Sequence, residues 1–256
     1  MIKRLFTSTL PAAAIAAALL AGAVHAQSDS TKAAAGSRDS ALTARSVKKG
    51  NLFSAVSFAD SALGVEWSGL RGEAQEQYPD LELTKVEDLH ITVVYIGADW
   101  KPEDLDRIRA HALVVPAAPV QHTPEVVRLG RYSQVVAVEL HGASTAWADS
   151  VVAAKDTLNR LGLKRPERYD TNFRSHITLA QAKNSPPTPA DSTALAGFMS
   201  WMGSKVAENP RKFTVTIGPT TRVLLLLAGT TRPEGAPQYV TVEDFLKQQK
   251  TPTPAK

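Results

Sequence analysis

The 256-residue chain carries 29 basic and 25 acidic residues, a formal charge of +4, with 43% hydrophobic residues and no cysteine. The missing cysteines exclude disulfides, thiolate metal sites and a thiol nucleophile. No run of Lys and Arg is long enough to mark an extended nucleic-acid groove, so any phosphate recognised is met by a few placed groups.

In chain order, Lys3 and Arg4 precede an uncharged Ala- and Leu-rich run from Leu10 to Val24. The run closes with Val24-His25-Ala26, the small-x-small form of a signal-peptidase site. It is short for a membrane span and contains Pro11. The expectation is a signal peptide over 1–26, cut after Ala26, and a periplasmic or secreted protein with no stable membrane anchor. An uncleaved anchor is the competing reading. Loss of the leader removes Lys3, Arg4 and no acid, leaving 27 basic against 25 acidic residues and a charge of +2. Residues 27–50 lack apolar periodicity and read as a disordered segment, and 247–256 as a flexible tail. The stretch 51–246 between them is long enough for one domain with a substantial core.

Within that domain, strand and helix patterns alternate. Leu52–Phe58, Leu89–Ile96, Gln134–Leu140, Arg174–Ala180, Phe213–Ile217, Arg222–Ala228 and Tyr239–Val242 read as strands. Leu105, Ile108 and Ala112 follow a helix start at Pro102 with Glu103 and Asp104 in the first turn. Trp147, Val151, Ala154, Leu158 and Leu161 form a stripe ended by Gly162. Leu195, Phe198, Met199, Met202 and Val206 form another after a Pro-rich loop. These patterns describe an α/β mixture with short connections and no array of repeats.

Two of the strands carry the same signature, Leu89-His90-Ile91-Thr92-Val93-Val94-Tyr95-Ile96-Gly97 and Ser175-His176-Ile177-Thr178-Leu179-Ala180. Alternation along a strand puts His90 with Thr92 on one face, and His176 with Thr178 on another. One motif in each half of the domain suits a two-lobed fold in which each lobe supplies one wall of a cleft. The paired motifs resemble those of the two-histidine phosphoesterases, in particular the bacterial 2′-5′ RNA ligase-like, or RNA 2′,3′-cyclic phosphodiesterase, branch. Asn51-Leu52-Phe53-Ser54-Ala55-Val56 resembles that family's opening strand, and Arg222–Leu227 with Gly235 and Gln238-Tyr239 its closing hairpin. The resemblance implies a bilobal α/β (α+β) fold: two pseudo-twofold-related lobes, mainly antiparallel sheets flanking a central cleft, and helices outside. It also implies metal-independent chemistry on phosphodiesters, with no cofactor.

The residues suit that chemistry on their own terms. In-line cleavage of a phosphodiester needs a base on the attacking oxygen and an acid on the departing one. Histidine serves both roles because its pKa near 6.5 lets one ring be neutral while the other is charged. The Thr92 and Thr178 hydroxyls can donate to the phosphoryl oxygens. Arg174, beside the second motif, is a candidate phosphate contact, with a solvated strand-end charge as the alternative. The spacing leaves open which histidine is acid and which is base. Taken singly, each histidine reads as structural and each threonine as a β-branched strand residue; the parallel settings favour chemistry. His111, His122 and His141 sit in no comparable setting, and no metal-ligand spacing occurs.

Two departures weigh against simple transfer. Many family members carry Arg after Leu-Ala of the second motif, where this chain has Gln181. Export is also unusual for RNA-processing relatives. The leading expectation is a monomeric enzyme that opens 2′,3′-cyclic phosphates of nucleotides or short RNA ends to a 2′-phosphate, the regiochemistry following family precedent. The same machinery acting on a cyclic dinucleotide or a 2′-5′-linked oligomer, transfer to a hydroxyl in place of water, and a module that binds a phosphorylated ligand without turnover are the alternatives. Specificity is expected in the loops Tyr95–Lys101, Arg131–Ser133 and Tyr169–Arg174.

Overall fold

A computed structural model describes residues 50–229 and 238–250. The expected signal peptide, the segment 27–49, Gly235 and the end of the tail lie outside the described residues. Among the described residues no helix is long and apolar enough to cross a membrane.

The described residues form nine strands, arranged in two antiparallel sheets, and six α-helices. The first sheet is built from β1 (Asn51–Ser57), β3 (His90–Gly97), β8 (Val223–Ala228) and β9 (Tyr239–Thr241), in the order β3-β1-β8-β9. The second holds β2 (Leu81–Leu83), β4 (Val120–Leu129), β5 (Val135–Gly142), β6 (His176–Ala182) and β7 (Val215–Ile217), in the order β2-β6-β5-β4-β7. Helices α1 (Ala62–Gln77), α2 (Leu105–Ala112), α3 (Ala146–Arg160), α4 (Pro189–Glu208), α5 (Pro210–Phe213) and α6 (Val242–Lys250) complete the fold. The architecture is the mixed α+β arrangement expected, with one His-x-Thr strand in each sheet.

Apolar periodicity explains the long helices. In α3, Trp147, Val151 and Leu158 are buried, and in α4 Leu195, Phe198, Met202 and Val206. The Thr188 hydroxyl accepts from the Asp191 N–H while the Asp191 carboxylate accepts from the Thr188 N–H, a reciprocal cap that starts α4. Pro124 is tolerated in β4 because pairing with β7 involves only Val120 to His122, so its missing N–H breaks no ladder on that side. The strand expected over Tyr239–Val242 stops at Thr241, whose hydroxyl accepts from the Asp244 N–H at 3.1 Å and so begins α6. That helix runs to Lys250, past the boundary at 246 expected from sequence.

The positions that matter lie on β3 and β6, which pack against each other across the two sheets. Both show the same burial sequence from the histidine onward: half-buried His, buried Ile, half-buried Thr, then two buried residues in succession. The doubling marks a bulge. Opposite β1, Ala55 pairs with Thr92 but Ser54 with Val94, so Val93 is the extra residue. Opposite β5, Ala137 pairs with Thr178 but Val136 with Ala180, so Leu179 is extra. An extra residue reverses the alternation beyond it, which returns Tyr95 and Gln181 to the side of their respective histidines.

Candidate active site

His90, Thr92, His176 and Thr178 line one cavity of about 940 Å³. Each imidazole is held in the same way. His90 Nδ1 lies 2.8 Å from the Asp88 carbonyl oxygen, and His176 Nδ1 2.8 Å from that of Arg174. A carbonyl can only accept, so Nδ1 carries the proton in both rings and Nε2 is left to exchange a proton with a ligand. The two motifs therefore repeat an imidazole, its tautomer, a neighbouring hydroxyl and a bulge.

His90 is the more enclosed ring. Its centroid lies 4.7 Å from that of Tyr239, edge to face, and 5.3 Å from that of Phe53. Burial, followed by repulsion from the His176 charge, lowers its pKa, against an opposing contribution from the Asp88 carbonyl. Asp88 itself is only 4% exposed, and its Oδ1 accepts from the Gln238 N–H at 2.8 Å. Thus β9 is tied to the turn that orients His90.

Burial raises the Asp88 carboxyl pKa, offset in part by the Gln238 and Tyr239 N–H groups. A raised folded-state value means the native protein keeps this proton to higher pH than the unfolded chain does. Its contribution to stability therefore falls as the pH rises above about 4, the ordinary Asp value. In urea unfolding at a series of pH values, Asp88→Asn is expected to gain on the wild type as the pH rises through that range. A difference that does not change with pH would contradict this assignment.

Arg174 forms an ion pair with Glu139. Its Nε donates to Glu139 Oε1 at 2.7 Å and its Nη2 to Glu139 Oε2, a bidentate pair that lowers the Glu139 pKa. Glu139 is the cross-strand partner of His176. What Arg174 contributes to the first cavity is its carbonyl, through His176. Its side chain lines a second cavity of about 500 Å³, which shares Thr92 and His176 with the first and adds Tyr95, Lys155, Tyr169 and Phe173. The loop Tyr169–Arg174 thus borders His176. The remaining described histidines line neither cavity: His122 is buried edge-on to Trp147, and His141 pairs with Glu125 at 2.9 Å.

Gln181 faces the first cavity, and its Nε2 donates to Glu82 Oε2 at 2.7 Å. The positive groups of that cavity come from other elements: Arg71 on α1, Lys85 between β2 and β3, and Lys183 after β6. Sequence reasoning missed these three, along with the Asp88 clamp and the Phe53 and Tyr239 rings around His90. Leu63, Trp67, Leu70 and Ala74 at helical spacing after the Ser61 cap would have revealed α1 and, with it, Arg71. Among the described residues no three His, Asp or Glu side chains come together as metal ligands.

No family model and no curated protein sequence matches the chain. Solved structures do. Escherichia coli LigT complexed with 3′-AMP matches at 15% identity over 75% of this chain and 95% of that one, with a TM-score of 0.50. Apo E. coli LigT matches at 15% identity over 75% and 94%, TM-score 0.48. The Thermus thermophilus protein TT0787 matches at 18% identity over 75% and 94%, TM-score 0.46. At these identities the likeness concerns the fold alone. Over three quarters of its length the chain has the two-histidine phosphoesterase fold.

Proposed function

We propose that this chain is a phosphodiesterase that uses His90 and His176 as its acid–base pair, Thr92 and Thr178 as phosphate donors and no metal, and that opens 2′,3′-cyclic phosphates of nucleotides or short RNA ends to a 2′-phosphate. The observation that carries this reading is the duplicated anchoring: two imidazoles in one cavity, each with Nδ1–H on the carbonyl two residues upstream. A structural histidine needs no such twin. The binding of 3′-AMP by LigT is in keeping with a nucleotide ligand.

The chemistry follows from the two environments. The lowered pKa of His90 keeps that ring neutral, so it is the proton acceptor of the resting pair. Its Nε2 removes a proton from water as the oxygen bonds to phosphorus. The bond from phosphorus to the ribose 3′-oxygen breaks, and His176 Nε2–H protonates the departing oxygen. Thr92 and Thr178 donate to the oxygens on which charge accumulates.

Two results test the roles. The acid limb of kcat/KM is expected below the ordinary imidazole value of about 6.5, because the base must be neutral and burial makes His90 easier to deprotonate. A limb at or above that value would remove His90 as base. A p-nitrophenyl phosphodiester needs little protonation of its leaving group, so His176→Ala should recover much of its rate on that substrate while His90→Ala should not. The reverse pattern would exchange the two roles.

The size of the first cavity favours a second reading, in which the same pair acts on a larger diester such as a 2′-5′-linked oligomer or a cyclic dinucleotide; product analysis on a diester panel separates the two. The reading also includes export after cleavage at Ala26, checked by N-terminal sequencing of the mature protein, and a monomer, checked by light scattering.

A further inference from the structure

We propose that the first cavity, beyond the histidine pair, holds a subsite for a second phosphate group of the same substrate, formed by Arg71, Lys85 and Lys183. The proposal rests on the phosphodiesterase reading and names a feature of the substrate that the reading leaves open. Three elements contribute one cation each, and no two of them are close in sequence.

The register orders these groups along β6. Leu83 pairs with Ala180 and Leu81 with Ala182, and the Thr84 N–H donates to the Leu179 carbonyl, so Lys85 follows on beside Thr178. Lys183 lies past the other end of β6, with Nζ donating to the Pro79 carbonyl at 3.0 Å. At a rise of about 3.3 Å per residue, the Lys183 backbone is roughly 16 Å from that of Thr178. A single phosphate held between Thr92 and Thr178 would therefore lie too far along β6 to meet Lys183. Arg71 stands one helical turn after Trp67, whose indole N–H donates to the Thr84 carbonyl at 2.9 Å, which sets it over β2.

Arg71 supplies the observation that calls for a ligand. Its Nε is buried and has no hydrogen-bond partner, and among the described residues its guanidinium forms no ion pair. Leaving a charged donor in that state is costly. Acids on the same helix pair elsewhere, Glu66 with Lys212 and Glu73 with Lys205. Of the acids facing the cavity, Glu82 accepts from Gln181, and Asp88 accepts from the Gln238 N–H and also feels the charge of Lys85. An anion would supply Arg71 with its acceptor, and a phosphate ester matches a guanidinium fork.

The test compares 2′,3′-cyclic nucleotides bearing a 5′-hydroxyl, a 5′-phosphate and a 5′-triphosphate. In the wild type, kcat/KM should rise about tenfold along this ladder at low salt and lose the gain at high salt. In Arg71→Met and in Lys183→Met the ratio between the phosphorylated and 5′-hydroxyl substrates should fall toward one; Lys183 is exposed, so its variant keeps the comparison valid if Arg71→Met unfolds. Calorimetric binding of nucleoside 3′-monophosphates with the same three 5′ groups repeats the comparison without turnover. Diester hydrolysis with a flat ladder in both assays overturns the subsite and leaves the activity standing. Binding that climbs the ladder and depends on Arg71, without hydrolysis of any diester, upholds the subsite and overturns the activity.

Discussion

Replacing either His90 or His176 with alanine is expected to cut turnover of a 2′,3′-cyclic nucleotide about a thousandfold in the presence of EDTA, while the protein stays folded. General acid and general base catalysis each contribute typically ~10²–10⁴ in rate. The rings work on one proton inventory, so the losses should not multiply: the double variant should be only modestly slower than the worse single one. Structural damage is separable from chemical loss. His90→Asn keeps a side-chain N–H for the Asp88 carbonyl that now holds Nδ1, but has no basic nitrogen. It should therefore preserve the melting temperature better than His90→Ala and be just as inactive. Retention of more than a tenth of the wild-type rate in either alanine variant would end the two-histidine mechanism, and dependence on an added divalent ion would replace it.

What was legible in the sequence divides along physical lines. Alternation places His90 with Thr92 and His176 with Thr178, and the cavity contains all four, because a strand of two-residue period has only two faces to offer. The bulges at Val93 and Leu179 were not legible: each depends on the partner strand as well as its own, and no residue type demands it. Their effect is large, since they decide that Gln181 meets the first cavity and Tyr95 the second. Arg174 shows the converse. Its charge beside a motif suggested phosphate, and no local signal told that Glu139, distant in sequence and opposite on β5, engages its Nε and Nη2. Helix α1 was missed because Gly69, Gly72 and exposed Val65 dilute its apolar stripe, and the buried set reduces to Leu63, Gly64, Trp67 and Ala74. With α1 went Arg71, so Gln181, where the resembled family often carries Arg, stood only as a departure. In the fold Arg71, Lys85 and Lys183, from three other places in the chain, line the same cavity as Gln181.

The largest stability effect is expected at Lys164, in the connection between α3 and β6. Its side chain is 1% exposed, and Nζ donates to Asp170 Oδ2 at 2.7 Å, Asp170 Oδ1 at 2.8 Å and the Arg165 carbonyl at 2.9 Å. Asp170, with its side chain 12% exposed, also accepts from Asn159 Nδ2 and the Glu167 N–H. Burial alone would raise the Asp170 pKa, but the hydrogen bonds from Lys164, Asn159 and Glu167 outweigh it and lower it. Lys164→Met would strand that carboxylate in a mostly dry site, at a cost of about 3 kcal/mol. In a domain of this size the melting temperature should fall by roughly 6–12 °C. The double variant Lys164→Met, Asp170→Leu removes both charges and should recover at least half of the loss, since an apolar pair can replace a buried ion pair. If it recovers nothing, the cost lies in packing and the ion pair is not its source. The pH dependence has a fixed sign. A lowered folded-state pKa gives a contribution that is present above the ordinary Asp value of about 4 and is lost as the pH falls below it. The gap between wild type and Lys164→Met should therefore be constant near neutrality and close under acid. Activity should fall as well, because the same connection carries Arg174, whose carbonyl sets the His176 tautomer. A kcat decrease at unchanged KM, measured below the variant's melting range, would show that the buried pair positions the ring and does not contact the substrate.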